Sequence, residues 1–439
     1  MGKRAVVNSL ETKEVVVVEA VRTPIGNFGG SLIGMSAVQL GSLVVHETLC
    51  RQGLRPTPPR DNLSFRPLRL DGGLTDLEKQ HYDWNESSKG IAVDEVILGH
   101  VLQAGQGQNT ARQAAIKGGL PKESNAFTVN KVCASGLKAV ALGAQAIATG
   151  AADVIIAGGM ESMSNAPYAL PRARWGYRMD TSGRGELDDL LVLDGLIETF
   201  FGYHMGLTAE NIAEKYGISR QDQDVYGLSS HTRARAAIKE GAFRDEICPV
   251  QLEHKGERTT FETDERPMET TLEKMSHLHP AFKEGGTVTA GNSSSIADGA
   301  AAVLLMSEEA CGQYGLRPLG RVVAFASGAL DPAYMGLGPI PAVRRALKNS
   351  GISMDDIDLV ELNEAFAAQA IACIRELGFD GDRTNMYGSG ISLGHPVGAT
   401  GARVVATLVH GMKRNNADLG LVTLCIGGGQ GMAMILEQA

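Results

Sequence analysis

Two segments far apart in this 439-residue chain read as copies of one unit. In the first, residues 126–132 read as a strand and lead to Cys133. Leu137, Val140, Ala144 and Ile147 then recur at helical spacing, ahead of the apolar run Asp153-Val-Ile-Ile-Ala-Gly-Gly159. In the second, residues 384–387 read as a strand and a glycine-rich turn carries His395. A stripe of Val404, Val405, Leu408, Val409 and Met412 follows, and Leu421-Val-Thr-Leu-Cys425-Ile runs into Gly427-Gly-Gly429. A strand–turn–helix–strand unit near both ends confines the chain to a duplicated α/β fold with pseudo-twofold symmetry. Groups presented at the two turns would meet where the halves abut.

The runs 15–19, 94–98 and 358–362 read as further strands. Residues 167–284 break the alternation: they are richer in charge, Arg and Met, with helical patterns over 209–216 and 221–240 and no alternating strands. They read as an inserted, mostly helical and loop-rich lobe. Residues 55–90 are polar, hold Pro56, Pro58, Pro59 and the turn Asp71-Gly-Gly, and sustain no period, which reads as a surface loop.

A net charge of -9 argues against a nucleic-acid partner. Six scattered cysteines without a CxxC pair argue against a disulfide framework or zinc site and for a reducing compartment. No apolar run is long enough to cross a membrane. Val6 stands where a myristoylation signal wants Ser or Thr, and the ending Glu437-Gln-Ala is no peroxisomal address, so the cytoplasm is expected.

Four positions invite chemistry. A thiol such as Cys133 at a helix N-terminus lies in the positive end of the dipole, which favours thiolate, although a free Cys is also a common small buried hydrophobe. His395, flanked by Gly394 and Gly398, suits acid–base work or a structural role. Cys425 ends a strand before glycines, Gly427 first, whose N–H groups could meet an oxyanion. Asn363 closes a buried strand, where a carboxamide needs partners, a function or a capping role.

Taken together and in order, the blocks resemble the thiolase family. They are Asn130-Lys-Val-Cys133-Ala-Ser-Gly-Leu-Lys, Gly158-Gly-Met-Glu-Ser-Met-Ser164, Tyr203-His-Met-Gly-Leu-Thr-Ala-Glu-Asn211, Thr287-Val-Thr-Ala-Gly-Asn292, Asn363-Glu-Ala-Phe366, Gly394-His-Pro-Val-Gly-Ala-Thr-Gly-Ala-Arg403 and Cys425-Ile-Gly-Gly-Gly-Gln-Gly431. The resemblance runs from about Val15 to the C-terminus, leaving out 55–90. It implies a layered αβαβα fold with an N-terminal half over 1–166 completed by 285–311, the lobe 167–284, and a C-terminal half over 312–439. The activity implied is the reversible condensation of two acetyl-CoA to acetoacetyl-CoA and CoA, with coenzyme A thioesters as substrates and neither metal nor cofactor. Cys133 matches the nucleophile that becomes an acyl thioester. His395 matches its activator, Asn363 the holder of a water in the enolate's oxyanion hole, and Cys425 the acid–base group for the second acetyl unit. The N–H groups of Cys133 and Gly427 match a second oxyanion hole. His204, Met205, Met335 and Phe366 match walls of a short acyl pocket, and Leu196 and Ser294 match contacts to the pantetheine arm. A homotetramer is implied, with the lobe supplying the contacts.

The chain departs from the family pattern in places. Ser295 and Ala297 stand where Gly and Asn are usual. Met268 stands where a basic residue often faces the coenzyme A phosphates, a task Arg266 could take. Residues 55–90 have no usual counterpart and fit either a loop particular to this chain or a retained intron. A 3-ketoacyl-CoA thiolase of broader chain length and a catalytically silent lipid carrier are the competing expectations. Retention of Cys133, Asn363, His395 and Cys425 argues against the silent carrier. A ketoacyl synthase is disfavoured by the Cys425-Ile-Gly-Gly-Gly ending.

Overall fold

The computed structural model describes residues 12–59, 63–70, 73–179, 185–254 and 256–439. The segment weighed for myristoylation and the first two residues of the turn Asp71-Gly-Gly lie outside the described residues. Nine strands form the main sheet: β1 (Val15–Arg22), β2 (Glu95–Gly99), β3 (Asn125–Val129), β4 (Val154–Ser162), β5 (Ala297–Ser307), β6 (Gly320–Ala329), β7 (Leu359–Leu362), β8 (Leu419–Ile426) and β9 (Gln430–Gln438). A two-residue strand, Gly26–Asn27, pairs alongside β5. The principal helices are α1 (Ala37–Cys50), α2 (Thr110–Lys117), α3 (Ser135–Ala148), α4 (Gly206–Tyr216), α5 (Arg220–Glu240), α6 (Pro339–Ser350), α7 (Ala367–Leu377) and α8 (Thr400–Asn415).

The strand order β7-β8-β9-β6-β1-β5-β4-β2-β3 repeats the same pairings over four strands read outward from the β6/β1 seam in each direction, with β3 added at one edge. On one side β1 pairs antiparallel with β5, β5 antiparallel with β4, and β4 parallel with β2. On the other, β6 pairs antiparallel with β9, β9 antiparallel with β8, and β8 parallel with β7. Each seam strand carries a register shift at the matching place, Val17/Glu19 and Val322/Ala324. The duplication extends to single side chains. Asp94 accepts from the N–H groups of Asp153 and Val154, as Asp358 does from Asp418 and Leu419.

Layering follows from the period of two along the strands. In β1, Val16 and Val18 face the core under α1 and α2, while Val15 and Val17 face the core around α3 and α8. In β9, Met432, Met434 and Leu436 face that same middle core, and Ala433 and Ile435 face the core under α6 and α7. The result is helix, sheet, helix, sheet, helix. Helices α3 and α8 pack closely in the middle because each carries a glycine at its second position, Gly136 and Gly401. A Cβ at Gly401 would overlap the Leu137 backbone, and one at Gly136 would lie 2.7 Å from the Ala402 nitrogen.

Some expectations are corrected. Of residues 384–387, Thr384 alone bridges, to Val360, where β3 pairs β2 in the other half; Gly388 with φ near +74° turns the chain away. The lobe is not free of paired strands: Val250–His254 and Glu257–Phe261 form a hairpin, and Ile197–Glu198 pairs with Tyr203–His204. Residues 55–90 are more ordered than a bare loop. Leu54–Thr57 pairs in parallel with Lys89–Ala92, Asp76–His81 is a helix capped by Thr75, and buried Trp84 packs at a tilt on the His46 ring and donates to the Gly119 carbonyl.

Candidate active site

Cys133 sits on the turn between β3 and α3, where Val132 adopts φ near +48°. Ser135 braces the turn: its hydroxyl accepts from the Lys131 N–H and donates to the Val132 carbonyl. The side chain is buried, and the N–H groups of Gly427 and of Cys133 itself are directed at the sulfur. The helix start was expected to favour thiolate. Burial outweighs it: desolvation pushes the thiol up to about 11, and the two N–H groups only soften the rise.

Gly427 opens the turn between β8 and β9, just past Cys425, which lies opposite Gly431 in the ladder. Cys425 is fully enclosed, and burial first, then the neighbouring Cys133, hold its thiol well above the ordinary range. Cys425 packs with Met205, Met335, Ala365, Phe366 and Phe282 in one apolar cluster.

His395 lies in the bend between the short helix Gly390–Leu393 and α8, five residues before the helix it was expected to open. Gly394 takes φ near +103°, a conformation side chains resist. The His395 N–H donates to the Ser295 carbonyl. The Thr400 hydroxyl donates to the Pro396 carbonyl, and so it accepts from His395 Nδ1 at 2.7 Å. That network assigns the proton to Nδ1 and leaves Nε2, buried and without a partner, as a free acceptor. Burial, then the Arg403 guanidinium, lowers His395 to about 3 and keeps the ring neutral. Asn363, just past β7, is fully buried with neither amide atom partnered. Its Oδ1 faces Gly390, where a Cβ would lie 2.8 Å away. A buried carboxamide in that state is costly unless a ligand or water meets it.

Cys133, His395, Leu196, His204, Met205, Ser294, Met335 and Phe366 all line one cavity of about 590 Å³. Asn363, Cys425 and Gly427 stand behind its wall; a Cβ at Gly427 would overlap the Met205 methyl. Arg266 and Met268 line the same cavity, so the cation stands beside the position where it was missing.

Several contributors escaped sequence reading. Phe282 stacks on His204 at 4.5 Å and meets Phe366 edge-on at 6.1 Å, yet in sequence it is one aromatic in a loop. Buried Glu161 accepts from the N–H groups of Val101, Leu102 and Gly398, tying one half to the loop that carries His395. A carboxylate between apolar runs, in Gly-Met-Glu161-Ser-Met, was the available signal.

The thiolase N-terminal domain family matches residues 87–309 and the thiolase C-terminal domain family matches 316–438. This chain belongs to the thiolase family. Among relatives of this thiolase, an acetyl-CoA acetyltransferase of Pseudomonas aeruginosa is 51% identical over 97% of the chain and 100% of the relative. One from Syntrophomonas wolfei is 49% identical over 97% of the chain and 99% of the relative. The crystal structure of the Bacillus anthracis acetyl-CoA acetyltransferase superposes on this thiolase with a TM-score of 0.87 at 40% identity, covering 98% of this chain and 100% of that one.

Proposed function

We propose that this thiolase is an acetyl-CoA acetyltransferase, joining two acetyl-CoA into acetoacetyl-CoA and CoA, and reversing that reaction, by way of an acetyl-cysteine. The observation that carries the reading is the Cys133 sulfur beneath the N–H groups of Cys133 and Gly427, with the Cys425 thiol as its neighbour. Relatives named acetyl-CoA acetyltransferase at about half identity over nearly the full length support the substrate class.

Both thiols rest protonated in this environment, so activation is coupled to substrate rather than stored as a resting ion pair. As Cys133 attacks the thioester carbonyl, its proton passes to the open Nε2 of His395, and the oxyanion meets the two backbone N–H groups. Collapse expels CoA, which takes the proton from His395 and leaves acetyl-Cys133. Cys425, its own proton passed to the again-open Nε2 of His395, then removes the α-proton of a second acetyl-CoA. The enolate oxygen faces His395 and a water held by the unpartnered amide of Asn363. Attack of that enolate on acetyl-Cys133 forms the new carbon–carbon bond and expels the Cys133 thiolate, which takes the proton back from His395. Met205, Met335 and Phe366 close the acyl pocket, which supports short chains. Every chemical step is assigned to residues of the chain, with coenzyme A thioesters as substrates. Arg266 is assigned to the coenzyme A phosphates.

The division into halves 1–166 (completed by 285–311) and 312–439 around a lobe 167–284 belongs to this reading. So does a homotetramer, supported by exposed Tyr168, Leu170, Trp175 and Leu187 on the lobe. No helix among the described residues is long and apolar enough to cross a membrane, and a cytoplasmic site of action is proposed. A thiolysis assay comparing acetoacetyl-CoA with a longer 3-ketoacyl-CoA tests the reading. Preference for acetoacetyl-CoA is expected, and equal or better use of the longer substrate would overturn the short-chain assignment.

A further inference from the structure

We propose that Glu198 is a positioning residue, whose carboxylate holds the glycine turn after Cys425 so that the Gly427 N–H stays aimed at Cys133. The inference rests on the acyl-cysteine reading above. Gly428 and Gly429 take φ near +80° and +74°, and three successive glycines offer no side chain by which the turn could be gripped. Its orientation must therefore be set from outside. Gly429 is held by its carbonyl, which accepts from the Leu330 N–H at 2.7 Å. Gly428 is held by its N–H, which donates to Glu198 Oε2 at 3.0 Å. Gly427 is the residue immediately before that second anchor.

Glu198 is itself fixed. It is fully buried, its Oε1 accepts from the Phe200 N–H at 3.1 Å, and its carbonyl accepts from the Gly202 N–H at 2.8 Å. A carboxylate accepting from backbone N–H groups makes a charge-assisted bond, stronger than a neutral one. The same hairpin carries the acyl-pocket wall. Ile197 and Glu198 pair with His204 and Tyr203, the Met205 N–H donates to the Leu196 carbonyl at 2.9 Å, and the Met205 methyl fills the space a Gly427 Cβ would take. One carboxylate thus joins the wall that sizes the acyl group to the donor that stabilises its oxyanion.

The test is Glu198→Gln in the full-length protein. An amide offers one acceptor oxygen and opposes the second N–H with its NH2, so one of the two anchors fails. Single-turnover acetylation of Cys133 by acetyl-CoA, read by mass spectrometry, is expected to slow by about ten- to a hundredfold, less than outright loss of an oxyanion donor. The KM for CoA should stay within about twofold, since binding of the carrier is not at issue. Alkylation of Cys133 by iodoacetamide at pH 8 separates positioning from general loosening. Withdrawal of the Gly427 N–H makes thiolate scarcer and slows alkylation, whereas a loosened pocket hydrates the thiol and speeds it. Should the Gln variant not fold, Glu198→Asp, which draws the oxygens back by one methylene, is expected to slow both reactions in the same direction by less. Acetylation within twofold of wild type, or faster alkylation, overturns the proposal. A wild-type protein that forms no acetyl adduct overturns the acyl-cysteine reading itself.

Discussion

The two halves share a topology over four strands each, yet they present different side chains at the site. In the N-terminal half the turn before α3 presents Cys133, and the connection from β4 to β5 expands into a lobe holding His204 and Met205. In the C-terminal half the turn before α8 presents Gly398 and places His395 in the bend ahead of it. There the matching connection, β8 to β9, is a three-glycine turn following Cys425. Duplication supplies the frame, with paired aspartates at the strand starts and paired glycines at the helix crossing. On the proposed mechanism, chemistry enters where the copies diverge: the nucleophile comes from one half, the proton-handling groups from the other.

The strongest way to break that division is to remove each cysteine in turn. Cys133→Ala should lower acetoacetyl-CoA thiolysis by roughly a thousandfold or more, because no acyl-enzyme can form. Cys425→Ala should lower it comparably, by blocking proton transfer. Equal residual turnover from either variant near the wild-type level would dissolve the distinction.

The halves should also fail at opposite ends of the pH scale. His395, held near 3 against an ordinary 6.5, stabilises the fold fully above pH 6.5 and loses that contribution as pH falls toward 3. Cys133, held near 11 against 9.0, contributes below pH 9 and loses its contribution as pH rises toward 11. Chemical denaturation of His395→Gln beside the wild type should therefore show a difference that changes by on the order of 4 kcal/mol between pH 7 and acid. A pH-independent difference would contradict a buried neutral imidazole.

Gly136→Ala and Gly401→Ala probe what the halves share. Each adds a methyl against the backbone of the other helix and should destabilise by about 1–3 kcal/mol, the pair by similar amounts. Strongly unequal losses in a urea titration would show that the crossing is less symmetric than the backbone. A smaller effect is expected of Met205→Gly: an approximately tenfold gain of a longer 3-ketoacyl-CoA relative to acetoacetyl-CoA. An unchanged ratio would mean that Met205 only packs.

Much of this was legible in the chain itself. Val15–Arg22 reads as a strand because β-branched residues crowd it, and the Cys133 and Cys425 turns announce themselves by glycine after an apolar run. Strand β5 was not legible: Ala-Asp-Gly-Ala-Ala-Ala-Val-Leu-Leu-Met-Ser is buried on both faces and so lacks the alternation that marks a half-exposed strand. The thiol's upward shift was hidden for a related reason. A helix start is visible in sequence, whereas the layers that desolvate it come from residues hundreds of positions away. Glu198 and Phe282 act through contacts with no local signature.

The division of labour is tested most directly by mass spectrometry of three proteins, each mixed with acetyl-CoA and quenched: wild type, Cys133→Ala and Cys425→Ala. One acetyl group is expected on Cys133 in the wild type and in Cys425→Ala, and none in Cys133→Ala. An acetyl group on Cys425, or an unmodified Cys133 in the Cys425→Ala protein, would contradict it.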